Sequence, residues 1–379
     1  MKADTDSEQT YPLVPCELFI PETIWVEENR VGGYVAVSKP EDPGQWGKLV
    51  AADEPVVTQV DDGHTLPGSV GRIPSSSCSK PSIVADMLRA LDVHPGHAVL
   101  EVGTGTGWNA ALLCQQVGAR GRVVSVEIDA ELAGAARAVL QRIGFPALVI
   151  ITDGAEGHPS SAPFDRIIST AAVRWQVPRA WVQQTQPGGL IVTPWGTSYH
   201  NGTLLRLRVI DGDMAVGRFG GNLAFMRLRA QRGPIWVDND TLDDAKISTT
   251  TLSSVEIGQA VVSFDGSFAV GLHVSDCRVH IDEDTAEGQH AVWLCDGSSL
   301  ARVVVDIGSS SHEVCQRGPR GLWDEVEAAY RWWRDVGNPE HTRFGLTVTS
   351  QDQVVWLDNP ANTVPAGDRN PRRREMVPR

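Results

Sequence analysis

VLEVGTGTGWNAALL, residues 99–113, reads as a strand, a glycine turn and the start of a helix. The reading repeats on both sides of it. HAVLEVG (97–103) is a strand, and WNAALLCQQVG (108–118) is a helix closed by Gly118. GRVVSVEID (121–129) is the next strand, and AELAGAARAVLQRIG (130–144) is a helix closed by Gly144. ALVIITDG (147–154) and FDRIISTAAV (164–173) are further strands. PRAWVQQTQPGG (178–189) reads as a helix and its stop, and LIVTPWG (190–196) as a strand. GTLLRLRVIDGDMAVGRF (202–219) looks like a hairpin turning at Asp211 and Gly212. Strands and helices alternating across short loops predict an α/β fold. The expectation is a Rossmann-like, doubly wound, mostly parallel sheet over residues 81–233.

Other rhythms flank this region. Residues 1–10 are polar and expected to be flexible. Residues 11–80 hold apolar patches broken by Pro and Gly, which predict short strands and loops rather than long helices. GRIPSSSCSKP (71–81) reads as a small-residue loop leading into a helix, SIVADMLRAL, with proline near its start. Residues 234–364 form an appended C-terminal α+β domain, with strands expected in ISTTTLSSVEIG (247–258) and AVVSFDGSFAVGLHVS (260–275). One helix stands out there, GLWDEVEAAYRWWRDVG (321–337), with Leu322, Val326, Tyr330 and Trp333 on one face. Its tryptophans fit either a core or a docking surface. Residues 365–379 are rich in Arg and Pro and expected to be disordered.

With 379 residues the chain exceeds one ordinary core. Its composition, 41% hydrophobic and 21% charged, is that of a soluble globular protein. No apolar run has the length of a membrane span, so no membrane partner is expected. MKADTDSEQTYPLVP lacks the apolar core of a signal peptide, and the expected location is the cytoplasm. Six cysteines without a C-x-x-C pair read as reduced thiols. The spacing of Cys277, Cys295 and Cys315 does not suit a common structural zinc site, and no metal is expected. The net charge is −14, and residues 236–364 carry 21 acids against 8 bases. That balance argues against nucleic acid as a partner.

The glycine turn must hold something. A dinucleotide fingerprint, G-x-G-x-x-G, would place its third glycine where Trp108 stands. There is no Walker lysine for a triphosphate. The compact Gly103-x-Gly105-x-Gly107 turn suits a nucleoside with an amino-acid tail and no pyrophosphate. Glu127, 24 residues beyond Gly103, ends the second strand, where a carboxylate accepts from two ribose hydroxyls. Asp153 and Gly154 end the third strand, where a carboxylate can meet an adenine amino group. Together these residues define a site for S-adenosyl-L-methionine, with S-adenosyl-L-homocysteine as the product. Glu101, Thr104, Ile128 and Thr170 complete the expected cofactor set.

Six segments resemble the protein-L-isoaspartate O-methyltransferase family, over roughly residues 12–232. VPCELFIPE (14–22) is similar to its V-P-R-x-x-F-V-P segment, with Cys16 where Arg is usual. SSSCSKPSIVADML (75–88) matches a T-I-S-x-P segment at Ser79 and Pro81. The glycine motif, with Trp108 where Tyr is common, comes next. DGAEGHPSSAPFDRIISTAAVRWQVP (153–178) matches a D-G-x-x-G…P-[FY]-D-x-I-x-x-T-A-A run. QPGGLIVTPWG (186–196) and AFMRLR (224–229) follow in order, the latter with Arg227 where the family has proline. The resemblance implies a methyltransferase fold and an acceptor carboxylate on a polypeptide. It makes Ser79 the residue that hydrogen-bonds that carboxylate, whereas the Ser-Lys-Pro context alone suits a helix N-cap. It also implies substrate contacts from Ser77, Cys78, Ala171, Ala172, Phe225 and Arg227.

Residues 234–379 extend beyond the compact form usual for repair enzymes of the family. Extended members tailor ribosomally made peptides (lanthipeptides, lasso peptides, graspetides) by methylating an ordinary aspartate, which then closes to an aspartimide, that is, a succinimide. The expected function is therefore O-methylation of an aspartate in such a dedicated, post-translationally modified peptide, crosslinked precursors included. The alternative is methylation of isoaspartate in damaged proteins.

Overall fold

A computed structural model describes residues 14–66, 68–233, 242, 244–282 and 288–365. The expected flexible stretch 1–10, the start of the C-terminal module at 234 and residues 366–379 of the expected tail lie outside the described residues. The chain divides into two compact units. The first comprises Met1–Ala171, Pro178–Thr193 and Arg206–Ala215, and the second Ala172–Val177, Pro194–Leu205 and Val216–Arg379.

The first unit begins with β1 (Thr23–Glu28), β2 (Gly33–Ser38), α1 (Pro43–Ala51), β3 (Val56–Val60) and β4 (Pro74–Cys78). The strands form an antiparallel sheet in the order β2-β1-β3-β4. Two expectations change here. Helix α1 stands where strands and loops were expected, because Asp42 caps the Gln45 N–H at 2.8 Å and Pro43 opens the first turn. Trp46 and Val50, four residues apart, bury its inner face. The small-residue stretch expected as a loop contains β4, whose Ser76 and Cys78 point inward in strand alternation.

Next come α2 (Pro81–Leu91), β5 (Ala98–Val102), α3 (Trp108–Val117), β6 (Arg122–Glu127), α4 (Ala130–Ile143), β7 (Leu148–Ile151) and β8 (Phe164–Ser169). Along the chain there follow β9 (Val173–Arg174), α5 (Arg179–Gln184), β10 (Thr185–Gly196), β11 (Thr203–Asp211) and β12 (Met214–Asn222), of which β9, most of β12, the end of β10 and the start of β11 fall in the second unit. In the first unit β10, β8, β5, β6 and β7 are neighbours in that order, all parallel. Strand β5 is buried at every position, as befits a parallel strand covered on both faces. The chain runs from β5 outward to β6 and β7, then returns to the other side of β5 as β8. Such a reversal opens a crevice at the carboxyl ends of β5 and β8, where α/β sheets bind ligands. Helix α2 packs through Val84, Met87, Leu88 and Leu91, an apolar stripe at helical spacing.

The second unit is α+β. It holds β13 (Lys246–Thr250), α6 (Ser254–Val261), α7 (Phe264–His273), β14 (Arg278–Asp282), β15 (Gln289–Cys295), β16 (Leu300–Asp306) and β17 (His312–Arg317). Helix α8 (Leu322–Asp335) and the hairpin β18 (Phe344–Val348) and β19 (Gln353–Leu357) follow. Five strands pair antiparallel in the order β13-β17-β16-β15-β14. Most of the two stretches expected as strands forms α6 and α7. Ser253 and Glu256 make a reciprocal capping box, and Ser263 caps α7 through the Gly266 N–H. Helix α8 agrees with its periodicity and buries Leu322, Val326, Tyr330 and Trp333. Trp323, Trp333 and Trp356 are at most 5% exposed, so these three tryptophans are core rather than docking surface. No helix among the described residues is long and apolar enough to cross a membrane.

Candidate active site

Parallel register sets the site. Val102 lies opposite Val126 and Ser169, and Glu127 lies opposite Ile151. Gly103, Ile128, Asp153 and Thr170 therefore leave the same edge of the sheet. The turn itself requires glycine. Gly103, Gly105 and Gly107 have φ of +90°, +50° and +87°, a region that side chains with a Cβ rarely enter. Space adds to the requirement. A Cβ on Gly103 would stand 3.0 Å from Thr170 Oγ1, and one on Gly107 would stand 3.2 Å from Ala136 Cβ. Thr170 locks the turn from the neighbouring strand: its hydroxyl donates to Gly103 O at 2.5 Å and its N–H to Val102 O at 2.9 Å. Ala171 follows, tied to the Ser169 hydroxyl through both its N–H and its carbonyl.

Glu127 is 7% exposed and sits beside the turn. It accepts from the Gly105 N–H at 2.9 Å and from the Asp129 N–H at 3.1 Å. Each oxygen keeps a lone pair. Ile128, beyond it, is 40% exposed. Asp153 accepts from the Ala155 N–H at 2.9 Å, and the Gly154 carbonyl is held by the Trp181 indole N–H at 2.8 Å.

Glu101, expected to contact cofactor, is turned inward instead. It is fully buried, and its carboxylate accepts from Asn109 Nδ2 at 2.7 Å and from the Ser125 hydroxyl. Ser125 also meets the Thr104 hydroxyl at 2.6 Å, so Thr104 shares this internal network. Sequence reasoning missed Asn109 and Ser125, which hold the start of α3 to β5 and β6. Burial pushes the Glu101 carboxyl up to about 7, against the pull of the Ser125 and Asn109 hydrogen bonds and with the negative Glu127 adding to the rise. The native state therefore keeps a proton that the unfolded chain releases near 4.5, and stability falls as pH rises from there to about 7. Glu101→Gln should flatten that fall, by on the order of 3 kcal/mol. Urea melts at pH 5 and pH 8 check it, and parallel pH slopes in the two proteins would contradict it.

Strand β4 runs beside the turn. A Cβ on Gly105 would lie 3.7 Å from both Ser76 Oγ and Ser77 O. Ser79 is half-buried, and its hydroxyl has no hydrogen-bond partner among the described residues. It does not cap α2. Lys80 is the N-cap, without a side-chain bond, and the Ser82 N–H is capped by Asp53 at 2.9 Å. Cys78, expected to face substrate, is 3% exposed and is a free thiol beside that of Cys16. Hydrogen bonding with Cys78 lowers the Cys16 thiol to about 7, against the opposing effect of burial, while the same interaction and burial raise the Cys78 thiol. Cys16 is half-buried and the other five cysteines are buried. Iodoacetamide at pH 7.5 should label Cys16 first, as peptide mapping would show; first labelling elsewhere would contradict the assignment.

Ala172, Phe225 and Arg227 belong to the second unit. The Ala172 N–H donates to Met226 O at 2.7 Å and the Leu228 N–H to Ala172 O at 3.0 Å, which sets Arg227 opposite Ala172. AFMRLR thus makes a single bridge here rather than a strand. Phe225 is half-buried.

The reversal point, the positive-φ turn and the strand-end acid define a methyltransferase of class EC 2.1.1 whose cofactor is S-adenosyl-L-methionine. Residues 66–228 match the family model described as protein-L-isoaspartate(D-aspartate) O-methyltransferase. The chain is 39% identical over 169 residues to a protein-L-isoaspartate O-methyltransferase of Methanopyrus kandleri, covering 44% of this chain and 73% of that protein. It is 43% identical over 193 residues to one of Pyrococcus horikoshii, covering 50% and 79%. A solved protein-L-isoaspartate O-methyltransferase superimposes with a TM-score of 0.47 and 20% identity, over 82% of this chain and 88% of that one. The chain belongs to the protein-L-isoaspartate O-methyltransferase family. The residues present fit the cofactor: the glycine turn lets a ligand approach its backbone, and Glu127 keeps free lone pairs beside it.

Proposed function

We propose that this protein methylates the free carboxylate of isoaspartyl residues in polypeptides, using S-adenosyl-L-methionine. The observation that carries the reading is the unpartnered Ser79 hydroxyl, on the loop that follows a strand packed against Gly105. When bound, the cofactor supplies an electrophilic methyl group on a sulfonium. Gly103, Gly105, Glu127, Ile128, Asp153, Gly154 and Thr170 are the residues assigned to hold it. Glu101, Thr104 and Gly107 act beneath them by fixing the turn.

A carboxylate is already ionised at neutral pH, so the acceptor needs no general base. The protein must fix the direction and distance of one oxygen, and orientation of this kind lowers barriers substantially. Ser79 donates to that carboxylate. Ser77 and Ala171 are assigned to the acceptor side beside it. The methyl ester then makes the carbonyl open to the following backbone nitrogen, which closes a succinimide and expels methanol.

The narrower reading, a dedicated tailoring enzyme for an ordinary aspartate in a ribosomally made peptide, draws on the appended module, Cys16 and Arg227. The curated relatives favour the isoaspartate reading, which we place first. Residues 234–364 are assigned to substrate recognition. The test is a protein aged until it accumulates isoaspartate: methyl incorporation should rise with isoaspartate content, and incorporation independent of ageing would overturn the reading.

A further inference from the structure

Strand β3 carries one long polar side chain inward. Strict alternation along VVTQV (56–60) would bury Val56, Thr58 and Val60 together. The structure buries Val56, Gln59 and Val60 instead. A break in register is the reason. The pairing of β3 with β4 shifts between Val57 and Gln59, and again between Gln59 and Val60. Irregularities of this kind re-aim a side chain, and they are frequent beside active sites.

The Gln59 carboxamide is fixed at both ends. Gln59 is only 9% exposed, and a buried amide is costly unless both its halves are paired. Its Oε1 accepts from the Ser75 hydroxyl at 2.8 Å, and its Nε2 donates to Asp129 Oδ2 at 3.2 Å. A carboxylate accepts, so it is the amide nitrogen that faces Asp129. Ser75 Oγ accepts in turn from the Asp62 N–H at 3.0 Å, which leaves its own proton for Gln59.

Asp129 carries the contact on to Glu127, the last residue of β6. Asp129 Oδ1 accepts from the Glu131 and Leu132 N–H groups at 3.0 and 3.1 Å, which caps α4. Its own N–H donates to Glu127 Oε1 at 3.1 Å, while the Gly105 N–H donates to Glu127 Oε2 at 2.9 Å. The Glu127 carboxylate is thus aimed from two sides. The same hairpin reaches the second side as well. Ser76 pairs with Gln59 across the sheet and accepts from the Thr58 hydroxyl at 3.3 Å. Its Oγ would stand 3.7 Å from a Cβ on Gly105.

We infer that Gln59 is a positioning residue for the cofactor: it holds Asp129, and through Asp129 the Glu127 carboxylate, in the direction that meets the nucleoside. The N-terminal sheet thereby belongs to the cofactor site. This rests on the assignment of Glu127 to the cofactor in the reading above, and not on which carboxylate accepts the methyl.

The experiment is calorimetric titration of the full chain with S-adenosyl-L-homocysteine, without acceptor, beside a urea melt of each variant. Gln59→Met keeps the length of the side chain and loses both bonds. It should weaken binding about tenfold, the order of one hydrogen bond to a charged group. Asp129→Asn keeps the capping oxygen and sets an amide nitrogen against that of Gln59, and it should weaken binding by a similar factor. Gln59→Glu alone sets carboxylate against carboxylate and should do the same. Gln59→Glu combined with Asp129→Asn exchanges donor and acceptor and keeps an oxygen for Ser75. That pair should recover affinity to within about twofold of the unaltered protein, a non-additivity expected only of residues in contact.

A purely structural Gln59 would shift the melts and leave affinity per folded molecule unchanged, and that result overturns the inference. So does a loss of affinity that the exchanged pair fails to recover. Should Gln59→Met not fold, Asp129→Asn and the exchanged pair carry the same test. Glu127→Ala, titrated alongside, separates the two levels. Affinity lost there but kept in every variant at positions 59 and 129 removes Gln59 alone. Affinity kept in all of them removes Gln59 and Glu127 together. No acceptor takes part, so failure of the isoaspartate assay leaves each of these outcomes as it stands.

Discussion

Ser79→Ala should lower kcat for methyl transfer about 100-fold, a loss typical of removing one donor aimed at a reacting oxygen. The dissociation constant of S-adenosyl-L-methionine should stay unchanged. Both halves follow from where Ser79 stands. Its hydroxyl has no partner among the described residues, so nothing internal is lost with it. Helix α2 keeps its first-turn cap, because Asp53 and not Ser79 accepts from it. Thermal stability should therefore shift by less than about 0.5 kcal/mol, as for a surface change without a structural partner. Turnover, cofactor titration and melting on the same preparation check the three statements together. A variant that melts early with unchanged activity per folded molecule would return Ser79 to a structural role.

Glu127→Ala should act on the other side of the reaction. We expect cofactor affinity to fall about 100-fold, the order of two hydrogen bonds to a charged acceptor. Part of that loss is indirect, since Glu127 also holds the Gly105 N–H and so the shape of the turn. Glu127→Gln keeps one acceptor oxygen and should fall between the two proteins. Calorimetric titration with S-adenosyl-L-homocysteine measures it without turnover. Unchanged affinity in both variants would remove Glu127 from the cofactor site.

The fold around the glycine turn was legible because apolar strands, helix stops and strand-end acids recur there in register with the sheet. α1 was missed although Asp42-Pro43 is a start signal, since the glycines at 44 and 47 hide its period. Helices α6 and α7 were missed because Ser, Thr and β-branched residues read as strand, while the capping serines Ser253 and Ser263 decided the local structure. The site was legible where a motif is contiguous. Glu101 lies inside the motif, yet its direction depends on Asn109 and Ser125, which no spacing rule points to.

The most direct measurement of the central claim is methyl transfer from labelled S-adenosyl-L-methionine to two peptides of one sequence, differing only in isoaspartate or aspartate at a single position. The account predicts rapid labelling of the isoaspartyl peptide and little of the aspartyl one. Labelling of the aspartyl peptide alone, or of neither while cofactor binding is intact, would contradict it.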